Sequence, residues 1–186
     1  MNRRDLLKLI AASTGMSLIG GGVISAQEPA NKTADVNAAF SPADIQKLDE
    51  VAETIIPRTD TAGAKDAAVG AFMAVFVADC YTPEQREIFL SALPDIERRS
   101  QEGYKKELLQ LTPEERHELV VALDKEARAS ATTDKPHYFT MIKQLTLMGF
   151  FTSKIGATEV LAYDEIPGGF EACVPYVKGK PAWATT

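Results

Sequence analysis

The chain is organised around residues 137–154, which read HYFTMIKQLTLMGFFTSK, and the loop after them, residues 163–176, which reads YDEIPGGFEACVPY. One face of the predicted helix, as expected for an ordinary core helix, carries residues at helical spacing. They are Phe139, Ile142, Leu145 and Gly149. The last two turns place further apolar side chains on the other faces: Leu147, Met148, Phe150 and Phe151. A helix end that is apolar all round is either central to its own domain or covered by a partner.

Three helix starts of one design follow from Ser or Thr before Pro, at residues 41–42, 82–83 and 112–113. The hydroxyl caps the first turn, and Pro suits the first helical position because its missing N–H has no partner there. Pro57 is expected to end the first helix and Pro94 to break the third. No stretch alternates apolar and polar residues, so no strand is predicted. We therefore predict an all-α fold, an irregular bundle of about five or six helices with an extended C-terminal tail.

The second predicted helix, residues 67–80, carries a single charge, that of Asp79. A chain of 186 residues with 45% hydrophobic and 25% charged residues has the profile of one globular domain. Such a domain buries about 70% of its unfolded surface, enough to enclose a helix. Residues 67–80 are therefore predicted to form a buried helix.

The N-terminus reads MNRRDLLK and continues into a weakly apolar run rich in Gly, Ala and Ser that ends at Ala26. A basic start, an apolar middle and a small residue before the cut are typical of a signal peptide. The adjacent Arg3 and Arg4 predict a twin-arginine signal, a route that carries folded proteins. An uncut membrane anchor is the alternative, but spanning takes about 20 strongly apolar residues and glycines dilute this run.

The chain is thus expected to be exported to the periplasm and cut after Ala26, with no stable membrane span afterwards. The predicted divisions are a twin-arginine signal peptide (1–26), a flexible leader (27–39) and a helical domain (40–186).

The charge of the mature chain restricts its partners. Loss of the signal takes Arg3, Arg4 and Lys8 from the 20 basic residues and Asp5 from the 26 acidic ones, which leaves a net charge of −8. A chain with this negative charge is repelled by nucleic acid and by an anionic membrane surface. Neither is therefore expected as a partner.

No residue pattern points to chemistry within this chain. His117 and His137 have no neighbour at metal-ligand spacing, and no spacing singles out two carboxylates as an acid–base pair. Gly168 and Gly169 do not open a helix, as a dinucleotide-binding loop requires, and no Cys-x-x-Cys-His haem attachment occurs. We therefore predict no catalytic, cofactor-binding or metal-ligating residue; flavin and haem, if involved, belong to other subunits.

The two cysteines and the single tryptophan leave alternatives open. In an oxidising compartment, Cys80 and Cys173 either bond to each other, or Cys173 bonds to a partner, or both are buried thiols. Trp183 either folds back over its own domain or anchors on a partner, because Trp is frequent among interface hot spots.

Two groups of residues carry a family resemblance. The first is LTLMGFFTS at 145–153 with IPGGF at 166–170 and Cys173, and the second is IIPRTD at 55–60 with Gly63 and Ala64. In order and spacing they resemble the gluconate 2-dehydrogenase subunit 3 family, over roughly residues 40–183. That family comprises small, exported, non-catalytic partners of flavin-dependent sugar and polyol dehydrogenases.

The resemblance implies that this chain is an accessory (gamma-type) subunit and not itself an enzyme. It implies a flavoprotein partner similar to glucose–methanol–choline oxidoreductases, with FAD on that subunit, and leaves open a third subunit, a haem-carrying cytochrome c. We expect the chain to stabilise the flavoprotein and to carry it through twin-arginine export. The alternative is a free-standing periplasmic enzyme or small-ligand-binding protein with an unrecognised carboxylate pocket.

The apolar helix end and the loop after it predict where a partner binds. Phe150 and Phe151 lie about 100° apart on a helix and cannot both face one core. Phe170 has no regular element to cover it, and a bond from Cys173 would lock a complex already formed. The predicted docking surface therefore consists of six residues: Phe150, Phe151, Pro167, Phe170, Cys173 and Trp183.

Exchange of both Arg3 and Arg4 for Lys should stop export, because it keeps the charge but removes the arginine pair that the route reads. Cell fractionation measures the outcome, and the uncut signal adds 26 residues to the retained chain. Lys8→Arg, which keeps the positive charge at another position of the same signal, serves as the control and should leave export intact. Normal export of the double-Lys protein would contradict the assignment.

Overall fold

The computed structural model describes residues 40–130, 135–166, 168, 169, 173, 175 and 177–184. Within these ranges it contains six α-helices and no strand. The helices are α1 (Pro42–Ile55), α2 (Val69–Cys80), α3 (Pro83–Leu90), α4 (Ala92–Tyr104), α5 (Pro113–Ala129) and α6 (Tyr138–Thr152). A 3-10 turn (Leu108–Gln110) precedes α5, and a π-helical turn (Gly156–Val160) follows α6. The predicted all-α class is confirmed.

Each of the three predicted helix starts is a capping box. At α1, Ser41 Oγ accepts from the Asp44 N–H at 3.2 Å, and Asp44 accepts from the Ser41 N–H at 2.9 Å. Thr82 and Thr112 form the same reciprocal pair with the third residue of their helices. Two donors that the helix leaves unpaired are satisfied at each start, which explains why a local sequence signal located them.

The break between α3 and α4 lies at Ser91, three residues before the predicted one. Ser91 Oγ donates to the Ile88 carbonyl at 2.7 Å and ends α3. Pro94 lies in the first turn of α4, where a backbone N–H has no acceptor within the helix. The missing N–H of proline therefore costs no helical hydrogen bond there. The proline therefore starts a helix here instead of interrupting one.

Helix α6 lies at the centre of the bundle and packs against α1, α2, α3 and α5. The predicted inner face is confirmed, because Phe139, Ile142 and Leu145 are at most 2% exposed. Helix α2 approaches α6 at Gly149, where an added Cβ would lie 2.5 Å from Cδ1 of Phe72. Glycine at this position lets the two helix axes come close.

Helix α2 is buried on one side only. Met73 and Val77 are fully buried between α2 and its neighbours, whereas Val75 is 47% exposed and Ala71 is also exposed. The prediction of a buried helix is therefore wrong for its outer face. Composition showed that the helix avoids charge, but α1 and α6 cover only the inner face, and no other described element covers the outer one.

Substitution of Gly156 by Ala should destabilise the domain, because an added Cβ would lie 1.9 Å from the Phe150 carbonyl oxygen and the backbone would have to move. We expect a loss of about 1–3 kcal/mol in the free energy of unfolding, measured by urea titration. Gly103→Ala is the matched control, since nothing lies within 4 Å of its added Cβ. It should stabilise α4 by about 0.5 kcal/mol. Equal stability of the two variants would refute the close approach.

Candidate docking surface

The chain after α6 forms a loop whose two ends are joined by backbone hydrogen bonds. The Ala162 N–H donates to the Ala182 carbonyl at 2.8 Å, and the Ala184 N–H donates to the Ala162 carbonyl at 2.7 Å. Together they pair Ala162 with Trp183 in parallel. Residues 163–182 are thereby closed into one loop, which we call the closed loop.

Exposed apolar side chains concentrate at the closed loop and the end of α6. Of the nine large apolar side chains that are exposed in the described part of the chain, six lie near the end of α6, in the closed loop or in the Ala162–Trp183 pair that closes it. They are Leu147 (42%), Phe151 (37%), Tyr163 (48%), Ile166 (81%), Val177 (48%) and Trp183 (57%). Single exposed apolar residues are normal, but a group of them is typical of an interaction site.

Phe150 does not belong to this exposed group. Its side chain is 1% exposed and lies in the core, while the ring of Phe151 contacts it edge-on from outside at a centroid distance of 5.2 Å. The predicted docking surface is corrected accordingly. Adjacent helix positions differ by about 100°, so one phenylalanine of the pair faces the core and the other faces solvent.

The structure places the remaining predicted residues as follows. Cys80 and Cys173 are both exposed, free thiols, so neither is a buried core thiol and no bond joins them in this structure. The backbone of Trp183 pairs with its own domain, while its side chain stays largely exposed. Five residues lie outside the described ranges: Arg3, Arg4, Ala26, Pro167 and Phe170.

The start of α6 is held by a polar network at the end of the helix away from the closed loop. The Tyr138 hydroxyl donates to Asp95 of α4 at 2.6 Å, and Arg99 Nε donates to the same carboxylate at 2.7 Å. Arg99 also donates to both oxygens of Glu126 on α5, at 2.7 and 3.0 Å. Three helices are thereby joined around one carboxylate and one guanidinium.

The ionisation of this network follows from its geometry. Burial raises the pKa of Asp95, but hydrogen bonds from Tyr138, Arg98 and Arg99 outweigh burial and lower that pKa to about 2. Burial and the hydrogen bond to Asp95 raise the pKa of Tyr138. The hydrogen bond from Arg99 likewise lowers the pKa of Glu126. The network thus carries fixed charges near neutral pH.

Of the two histidines, His137 contributes to the fold. Nδ1 of His137 accepts from the Phe139 N–H at 3.1 Å and caps α6, while its Nε2 lies 3.5 Å from Glu126. His117 is exposed on α5. Across the residues that the structure describes, no three or more His, Cys, Asp or Glu side chains are grouped so that they could hold a metal ion.

Two carboxylates that the sequence did not single out organise the segment after α1. Glu53 accepts from the Arg58 N–H at 2.8 Å and from the Lys65 N–H at 2.9 Å, so one side chain holds both ends of the segment 58–65. Asp49 accepts from the Gly70 N–H at 2.7 Å. Burial raises the pKa of Asp49, and the Gly70 hydrogen bond opposes that rise. Both carboxylates accept hydrogen bonds from backbone N–H groups, a structural role that only the folded chain reveals.

Comparison with known proteins gives one match. A family model described as gluconate 2-dehydrogenase subunit 3 matches residues 42–168, which contain all six helices and the start of the closed loop. Neither the curated proteins nor the solved structures that were compared give a match. Among the described helices, none has both the length and the apolar character needed to cross a membrane.

Replacement of Tyr138 by Phe should destabilise the domain by about 1–2 kcal/mol at pH 7, because a half-buried charged acceptor, Asp95, loses one of its donors. The folded pKa of Asp95 lies below its unfolded value of about 3.9. Its ionised form therefore stabilises the fold above about pH 4, and this contribution is lost as the pH falls toward 2. The difference between the parent and the variant should shrink over that window in urea titrations.

Tyr104→Phe is the control for this experiment. It removes a hydroxyl that donates to an exposed carboxylate, Glu118, at 3.2 Å. Its effect should stay below about 0.5 kcal/mol, as for other surface changes. A Tyr138→Phe effect that is just as small, or one that is the same at pH 3 and pH 7, would show that the hydrogen bond from Tyr138 to Asp95 does not stabilise the domain.

Proposed function

The chain belongs to the gluconate 2-dehydrogenase subunit 3 family, and on that premise we propose that it is the small, non-catalytic subunit of a periplasmic, FAD-dependent dehydrogenase. The family name implies a subunit of a gluconate 2-dehydrogenase complex. The donor would be a sugar, a sugar acid or a polyol. FAD would lie on the large flavoprotein subunit, and a cytochrome c subunit with haem would accept the electrons.

The observation that carries the proposal is the exposed apolar group at the end of α6 and on the closed loop. A side chain such as Ile166, which is 81% exposed, gains about 1.5–3 kcal/mol when a partner buries it. An isolated subunit gains nothing from such residues, whereas a subunit of a complex does. This favours a binding role over the alternative of an enzyme with a carboxylate pocket, since Asp49 and Glu53 are already occupied by backbone N–H groups.

Export forms the second part of the proposal. The twin-arginine signal supports joint transport, because that route accepts folded proteins and therefore a complex that is already assembled. A flavoprotein without its own signal would then depend on this chain to reach the periplasm. The small subunit would stabilise its partner before export and remain bound afterwards.

Substitutions on the closed loop should separate the subunit from the flavoprotein. The assay purifies the tagged small subunit from the cell envelope and measures how much flavin-containing chain comes with it. Ile166→Asp and Phe170→Asp should each weaken the complex at least about tenfold, since each removes more than about 1.4 kcal/mol of burial. Leu109→Asp is the matched control, because Leu109 is also apolar and 39% exposed but lies on the 3-10 turn before α5.

The cysteines are tested in the same assay. Cys173→Ser should leave the complex assembled but separable in denaturant without reductant, whereas Cys80→Ser should leave any covalent link intact. Full co-purification by both loop variants would place the docking surface elsewhere. A Cys80–Cys173 bridge found by peptide mapping would remove only the covalent part of the proposal. Absence of any flavoprotein with the parent chain would refute the function itself.

A further inference from the structure

The C-terminal tail, residues 177–184, lies on the surface of the domain. Residues 177–183 are exposed, and Ala184 is half-buried. Within the residues that the structure describes, the hydrogen bonds between the tail and the rest of the chain are the two at Ala162, at 2.8 and 2.7 Å. The tail is therefore hydrogen-bonded to the domain at one point, through its backbone.

Ala162 is the fixed half of this attachment. It follows the π-helical turn Gly156–Val160, which packs against α6. The Leu161 N–H donates to the Gly156 carbonyl at 3.0 Å and closes that turn, and Val160 packs against the hydrophobic core. The position of Ala162 is therefore set by the domain, whereas residues 182–184 are held by Ala162.

The tail also contains a turn of its own. The Lys180 N–H donates to the Val177 carbonyl at 3.2 Å, and Gly179 between them has a φ of 88°. Lys178, the other central residue, does not have a positive φ. A positive φ at the second central position alone defines a type II turn, which suits glycine there and proline at the first central position. This turn needs no contact with the rest of the domain.

We propose that the two hydrogen bonds of Ala162 are a clasp, which opens and closes the loop, and that the flavoprotein binds the closed form. The second half of the inference rests on the proposed function. Each hydrogen bond shifts an equilibrium by about fivefold, and the entropy of the loop that they close opposes both. Because these contributions are similar in size, a contact made in the closed form alone shifts the balance between the two forms.

The closed form is the one that presents apolar side chains together. Trp183 pairs with Ala162 through its backbone, while its side chain stays 57% exposed. Tyr163, the residue after Ala162, is 48% exposed. The clasp thus holds the two ends of the closed loop side by side, and a partner that contacts both ends binds more tightly when they are already ordered. By linkage, the partner favours the closed clasp by the same factor as the clasp favours the partner.

Amide hydrogen exchange of the full mature chain, measured by NMR, tests the clasp without the flavoprotein. The amides of Ala162 and Ala184 should exchange at least about tenfold more slowly than that of Lys178, whose N–H has no hydrogen bond in the described part of the chain. Ala184→Pro removes one donor, so the Ala162 amide should lose its protection as well. Ala184→Ser keeps the donor and is the matched control.

Co-purification with the flavoprotein tests the second half. Ala184→Pro and Ala162→Pro each remove one hydrogen bond and should each reduce the amount of flavoprotein by about fivefold. Leu161 has an extended backbone, with φ −96° and ψ 162°, which permits proline after it. Ala184→Ser and Lys178→Pro should bind as the parent does, because the type II turn accepts proline at position 178. Circular dichroism checks that all four variants fold.

The outcomes separate this inference from the proposed function. Equal exchange of the Ala162 and Lys178 amides in the parent, or an Ala162 amide that stays protected in Ala184→Pro, would overturn the clasp. Undiminished co-purification of both clasp variants, Ala184→Pro and Ala162→Pro, would overturn its link to the partner and leave the proposed function standing. Failure of the parent chain to bring down a flavoprotein would overturn the proposed function and that link together.

Discussion

The close contact between α2 and α6 is the constraint on which the rest of the structure depends. Gly149 has no side chain, so the ring of Phe72 rests directly on the α6 backbone. Helices α2 and α6, which carry little charge, can therefore pack closely against each other and against α1. Each of them still exposes an outer face. Any larger residue at position 149 would push the helices apart and open the core on both sides of the seam.

The two ends of α6 serve different purposes. At its start, Tyr138 and His137 join α4 and α5 through Asp95 and Glu126, a polar network in which each charge has a partner. At its end, the side chains are apolar and lead into the closed loop. Polar groups must be paired when they are buried, so the network fixes the helix from one end. The other end exposes hydrophobic side chains, which is compatible with the proposed binding of a partner there.

This division suits the proposed attachment to a partner subunit. Helices α4 and α5 carry many of the chain's charges, and these form many of the ion pairs in the described part of the domain. Most of its large exposed apolar side chains, among the residues that the structure describes, lie near the end of α6 and along the closed loop. Burial of apolar surface stabilises a complex without the desolvation penalty that buried charges carry. Separation of the two kinds of surface is therefore compatible with the proposed binding of this acidic domain to a partner subunit.

The sequence by itself determined the helical class, the three capped starts and the inner face of α6, because caps, prolines and helical periodicity act within one or two turns. The same local patterns could not show that Phe150 is core while Phe151 is surface, or that α2 has a bare side. They also missed the pairing of Ala162 with Trp183, which lie far apart in the chain. Only the tertiary structure decided these points, since an apolar side chain is buried or exposed according to which other helix covers it.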